Sequence, residues 1–402
     1  MKDCEKLRVF VSYSHEDRPL VKHVVRALRV MGVVPILDKN FAFGSGFHEQ
    51  IKTYIAHSHV FMPIITASSM KRGWVHQEIG YASALNVPAL PLSVNGALPG
   101  EMIGQLHAIK VEVPDLKSSN GRKSTARRTK HAIDRQMSGA FTLKDIKRLV
   151  RQANHLDQAT FECAPLPEDR TANMVRYAET VADFQDSIPE LAGTGFVRQL
   201  GALSSFHIPD APLRHEVWKK RYGSQKRSVH HCRLQREERR ALTRLASASG
   251  CRLIVNHLID YGEYGEESRI VRLQSLLKFL ESDEVNNVEV AFNTGMERAH
   301  SLTIVGDWYC AESVSARAGH GYDQTVFTRH APSMHARIAA FDELFDDLLG
   351  DVKARDSRYV AIQTLHNRIR ELQGTNFRDW NLGGAEAFQA MALIHGSVFC
   401  HL

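Results

Sequence analysis

The first 113 residues alternate between two hydrophobic rhythms. Short apolar and β-branched runs predict five strands: RVFVSYS (8–14), VVPILD (33–38), HVFMPIIT (59–66), VPALPLSV (87–94) and AIKVEV (108–113). Between them, RPLVKHVVRALRVMG (18–32) places apolar residues at 20, 21, 24, 25, 28 and 31, the spacing of one helix face, and Gly32 stands where a helix C-cap belongs. HEQIKTYIAHS (48–58) and RGWVHQEIGYASAL (72–85) read as two further helices. Strands and helices in strict alternation predict a five-stranded parallel sheet covered by helices on both faces.

The rhythm stops after Pro114. DLKSSNGRKSTARRTKHAIDRQMSG (115–139) is polar, basic and aperiodic, so residues 114–140 read as a linker. A second domain follows over 141–402. It is charged and mostly helical in pattern from 141 to 250, α/β in alternation from 251 to 350, and helical in its tail from 351 to 402. In the middle part CRLIVNHLID, VEVAFN, SLTIVGDWY and TVFTRH read as strands, and RIVRLQSLLKFLE and PSMHARIAAFDELFDDLL as helices. The expected class is α/β or α+β with helical flanks, without internal repeats.

Composition adds constraints. With 402 residues, 43% hydrophobic and 24% charged, the chain is expected to fold into two or more domains. No apolar run approaches the ~18 residues that span a bilayer, and no secretory leader pattern opens the chain, so a soluble, cytoplasmic protein is expected. Six scattered cysteines without a C-x-x-C pair indicate neither a disulfide framework nor a metal site. The net charge of +6 is unevenly spread, because Arg214 to Arg244 holds eleven Lys/Arg against three Glu. Lys219, Lys220 and Arg221 in that stretch are candidates to hold an anionic trigger, a nucleotide second messenger or a nucleic acid.

Open parallel sheets bind ligands beyond the carboxyl ends of their strands. At those positions lie SYSHED (12–17), Asp38, Ser68 and Ser69, and a helix with Trp74 and Glu78 one turn apart on one face. Three stretches in register, VFVSYSHED, ILDKNFAFGSGFHEQI and FMPIITASSMKRGWVHQEIGYA, resemble the TIR (Toll/interleukin-1 receptor) domain over residues 5 to 113. The resemblance implies a flavodoxin-like fold. It also implies one of two functions: cleavage of NAD+ at the nicotinamide–ribose bond, or a scaffold that binds partners without turnover. For the enzymatic branch it implies Glu78 as the essential carboxylate and NAD+ as substrate, with no separate cofactor or metal; their positions make Ser12, Asp38, Ser68 and Trp74 candidate substrate contacts, or else turn, cap and core residues. Phe43, Gly44 and Gly46 fall in the loop through which such domains self-associate into homo-oligomers. GSGFHE (44–49) is not a dinucleotide fingerprint, since it lacks the third glycine and follows the second strand.

The second region carries two echoes of a phospholipase D-like pattern H-x-K-x4-D, at His335/Arg337/Asp342 and His231/Arg233/Glu238, each with arginine for lysine. Both fall on helical patterns, which predicts a non-catalytic region, or at most a degenerate relative of that family. The combined expectation is an immune effector in antiviral defence, a TIR NAD+ glycohydrolase activated when its C-terminal domain senses a trigger and oligomerises.

Overall fold

The computed structural model describes residues 6–37, 47–71, 73–97, 108–113, 131, 134–152, 161–164, 166–201, 216, 218–220, 222–258, 265–295, 300–314 and 324–374. Its first sheet has five parallel strands: β1 (Arg8–Ser12), β2 (Val34–Ile36), β3 (Val60–Ile65), β4 (Leu92–Val94) and β5 (Ile109–Val111). Their order is β2-β1-β3-β4-β5. The helices are α1 (Arg18–Val30), α2 (Phe47–Ala56) and α3 (Gly73–Ala84). Gly32 takes a positive φ of 78°, the left-handed backbone expected just beyond a helix end.

Side-chain alternation divides the apolar residues between two faces. Val9, Val11, Met62 and Ile64 pack with Leu20, Val24 and Leu28 of α1. Phe10, Phe61 and Ile65 turn the other way, toward Ile51 and Ile55 of α2 and Val75 and Ile79 of α3. The α1 face is completed by residues beyond 113. Residues 134–140, within the stretch read as linker, are helical, and α4 (Leu143–Gln152) follows. Met137, Phe141, Ile146 and Val150 join that core, and Asp134 accepts from Arg26 and pairs with His23 of α1.

The second sheet is mixed and has seven strands: β6 (Phe161–Ala164), β7 (Val197–Gly201), β8 (Cys251–Val255), β9 (Val288–Phe292), β10 (His300–Val305), β11 (Tyr309–Val314) and β12 (Gln324–Thr328). The order is β6-β12-β11-β10-β7-β8-β9, with β7, β8 and β9 parallel and the other pairings antiparallel. Two of these strands, β6 and β7, arise in the stretch whose pattern reads as helical. SLTIVGDWY is not one strand but parts of two, β10 and β11, joined by a tight turn at Gly306 and Asp307.

On one face of this sheet α8 (Ala331–Leu349) buries Met334, Phe341 and Phe345 against Ile254 and Ile304. The other face carries α5 (Pro167–Ser187), α6 (Gln225–Ser249), α7 (Gly265–Glu281) and α9 (Ala354–Leu372). No helix among the described residues is long and apolar enough to cross a membrane.

The two sheets share one hydrophobic cluster. Tyr54 of α2 lies 4.7 Å, ring to ring, from Phe184 of α5, and Phe184 lies 5.1 Å from Trp308 in the β10–β11 turn. At the centre of the junction is Arg8, buried at the amino end of β1. Its guanidinium donates to Asp307 at 2.7 Å and to the His57 carbonyl at 2.8 Å, and stands 3.8 Å over the Trp308 ring. His59, at the entry to β3, sits 3.2 Å from the other Asp307 oxygen. The second unit therefore docks on the amino ends of β1 and β3, the end of the parallel sheet opposite to Ser12 and Thr66.

Candidate active site at the carboxyl rim of the parallel sheet

The strand order 2-1-3-4-5 places a topological switch point between β1 and β3, where the connections leave toward opposite faces and open a crevice. Two turns meet there. After β1 the chain makes a short 3-10 turn, His15–Asp17, before α1. After β3 it makes another, Ser69–Lys71, before α3.

Hydrogen bonds tie the turns together. The Asp17 carboxylate accepts from Thr66 Oγ1 at 2.7 Å and from Ser68 Oγ at 3.1 Å. Within the second turn the Ser69 amide donates to Thr66 Oγ1 at 3.0 Å and the Thr66 amide to Ser69 Oγ at 2.9 Å. Ser69 thus satisfies backbone groups, as serines in turns do. Ser68, expected at substrate, has its hydroxyl on Asp17 and Thr66.

The β3–α3 turn feeds α3 directly. Trp74 lies in its first turn and Glu78 one turn later, so the spacing that singled out the pair is realised on a helix. Glu78 is 5% exposed, between Val75 and Ile79, which face the core. Across the switch point, Ser12 and Ser14 are 2% and 1% exposed, and their hydroxyls have no hydrogen-bond partner among the described residues. Asp38, Phe43, Gly44 and Gly46 lie outside the described residues.

Asp17 lies within SYSHED, and no motif in the sequence assigns it a role. The signal available was its position, one residue before α1 at a strand end. Arg8 and Asp307, which join the two units, carried no signal, because their partnership spans 299 positions.

The basic segment is more neutral than its sequence. Arg227 pairs with Glu168, Arg244 with Asp186 and Arg233 with Glu237, the first two using acids outside the segment. Lys219 and Lys220 are exposed and helical, beside a cluster in which Trp218 stacks on Tyr222 at 5.6 Å. Arg221 lies outside the described residues. Both phospholipase-like echoes are absorbed into structural ion pairs. Asp342 binds Arg198 and Arg252, Arg337 pairs with Glu312, and Glu238 is buried against Arg170 at 3.0 Å.

Residues 9–123 match the TIR domain family, and the parallel sheet with its helices is a TIR domain. Among solved structures, the chain is similar to the TIR domains of the activated Roq1 resistosome, which directly recognizes the pathogen effector XopQ. The identity is 15%, the match spans 37% of this chain and 98% of that one, and the TM-score is 0.22. None of the curated proteins matches the chain.

Proposed function

We propose that the TIR domain is an NAD+ glycohydrolase, with Glu78 as its catalytic carboxylate. Nicotinamide in NAD+ is a cationic leaving group, so it departs with the electron pair of the ribose C1′–N bond and needs no general acid. The ribose becomes oxocarbenium-like, and a carboxylate beside it stabilises the developing charge. Water then adds at C1′ and loses a proton to give ADP-ribose, or a purine nitrogen adds to give a cyclic isomer. Trp74 would offer an aromatic face to a base, Asp38 would contact the ribose and Ser12 another part of the substrate, while Ser68 gives its hydroxyl to the Asp17 junction.

The observation that carries this reading is the burial of Glu78 on the helix that opens from the switch point. It is a carboxylate held at 5% exposure where α3 leaves the switch point, the place at which open parallel sheets bind their ligands. The buried hydroxyls of Ser12 and Ser14 lend support as polar groups at the same rim.

Activity would depend on assembly of TIR copies through the loop holding Phe43, Gly44 and Gly46, as part of an antiviral immune effector. Docking of the second unit at the amino ends leaves the carboxyl rim to such contacts. The test is nicotinamide release by the full chain, assayed over a range of protein concentrations. Glu78→Gln keeps volume and hydrogen bonding but removes charge, and turnover should fall at least about a hundredfold, roughly 3 kcal/mol of transition-state stabilisation, with the fold retained. Wild-type release by the Gln variant would refute the assignment. A wild type silent at every concentration would favour a scaffold.

A further inference from the structure

The docking of the two units leaves a pocket of about 60 Å³ at the amino end of the parallel sheet, lined by Arg8, His57, His59, Arg329, His330 and the first turn of α8. Its polar character is one-sided. Arg8 is neutralised by Asp307. Arg329 is half-buried and, among the described residues, has no ion pair and no hydrogen bond; its contact is the Tyr177 ring at 5.2 Å. The carboxylate beside Tyr177, Glu162, is already engaged by Tyr177, Asn173 and Arg176.

The amino terminus of α8 adds positive potential to the same wall. This helix has 19 residues and no acidic residue in its first turn, so its dipole meets no side-chain anion there. His57 lines the same pocket. It is buried with its Nε2 unpartnered among the described residues, and burial, then Arg329, with Arg8 and Arg176 adding, pushes its pKa down to about 3.

An arginine with no counter-ion among the described residues, a long helix's amino terminus and a surplus of positive potential around one small cavity fit a single kind of occupant. At roughly 10–15 Å³ per water-sized position, the pocket has room for about four such groups, the size of one tetrahedral oxyanion. We propose that this interdomain pocket binds a phosphate group, either inorganic phosphate or the terminal phosphoryl of a small ligand, with Arg329 as its principal cation and the α8 amino terminus as its second anchor. The site is distinct from the basic stretch around Lys219 and Lys220. Because its walls come from both units, an occupant binds the docked arrangement and stabilises it by mass action.

Isothermal titration of the full chain in phosphate-free, low-salt buffer tests this with two probes, inorganic phosphate and a nucleoside monophosphate. Saturable binding to one site is expected, at least tenfold weaker in Arg329→Gln and unchanged in Lys278→Gln, an exposed lysine of α7. Tighter binding of the nucleotide would identify a nucleotide ligand, and equal or weaker binding would identify phosphate itself; both support the site. Absence of saturable binding by either probe, or equal affinity in Arg329→Gln, overturns it. Should that variant fail to fold, the His57 ring resonance of the wild type decides. A phosphate-dependent shift supports the site, and an unmoved resonance rules it out. Neither readout involves NAD+, so failure here is separate from failure of the glycohydrolase reading.

Discussion

Asp17 joins two turns with a single carboxylate, and its loss should be felt in both stability and turnover. Thr66 and Ser68 give their hydroxyls to it, and the turn they belong to sets where α3 begins. Asp17→Ala should cost about 1–3 kcal/mol by leaving these donors without their acceptor, and nicotinamide release should drop about tenfold as Glu78 shifts. Asp17→Asn, which keeps one acceptor oxygen, should recover most of both. A melting temperature and a turnover equal to wild type in Asp17→Ala would remove this role. Gly306 is critical for a different reason: at φ 46° in the β10–β11 turn, an added Cβ would collide with the Thr194 carbonyl. Gly306→Ala should destabilise by about 3 kcal/mol in urea unfolding, and a wild-type midpoint would show that the turn adjusts. Asp17 and Glu78 could be found in the sequence because strand ends and helical spacing point to them. The importance of Gly306 could not, because it depends on Thr194, more than a hundred positions away.

At the scale of elements, legibility follows how locally a segment is satisfied. β1, β3 and α1 were readable because their apolar residues fall on the period of a strand or helix and pack at once against neighbours. β7 was not. VRQLG is buried throughout, yet Arg198 and Gln199 occupy its centre, and the pattern looks like a charged surface segment. What makes the strand possible is Asp342 of α8, which accepts from Arg198 at 2.7 Å and from Arg252 of β8 at 3.0 Å. The arginines hold that carboxylate below the usual range against the opposing effect of burial. Asp342→Ala leaves Arg198 without its partner and Arg252 with Glu289 as its nearest acid, and should cost about 3–5 kcal/mol. Because Asp342 works as a structural anion, nicotinamide release per folded molecule should be unchanged. Loss of turnover in protein that melts like wild type would show instead that the α8 echo of a phosphodiesterase motif has a functional part.

At the scale of the whole molecule, the two units are joined by groups that favour one protonation state. Burial, then Arg8, lowers the His59 pKa, and burial, then Arg329, with Arg8 and Arg176 adding, brings that of His57 down to about 3. Burial would raise Asp307, but Arg8 and His59 outweigh it and hold the carboxyl well below its ordinary range. All three shifts act in one direction. A histidine depressed from 6.5 binds fewer protons folded than unfolded, so its contribution is complete above pH 6.5 and is lost as pH falls toward 3. The Asp307 contribution is present above the ordinary carboxylate pKa and disappears at still lower pH. Each unit below 6.5 costs about 1.4 kcal/mol for one such histidine, so His57 alone should remove roughly 3 kcal/mol between pH 6.5 and 4.5. The junction is therefore the expected first point of acid failure, and a TIR fragment cut near Pro114 should be less stable than one that keeps residues 134–152, whose Met137, Phe141 and Ile146 complete the α1 face. Urea unfolding of the full chain at pH 7.5 and 4.5 measures the histidine effect. His57→Gln cannot titrate, so its stability difference between the two pH values should be smaller than that of wild type by about 3 kcal/mol. Equal pH differences in the two proteins would mean that His57 is protonated without opening the junction, and that the two units separate by another route.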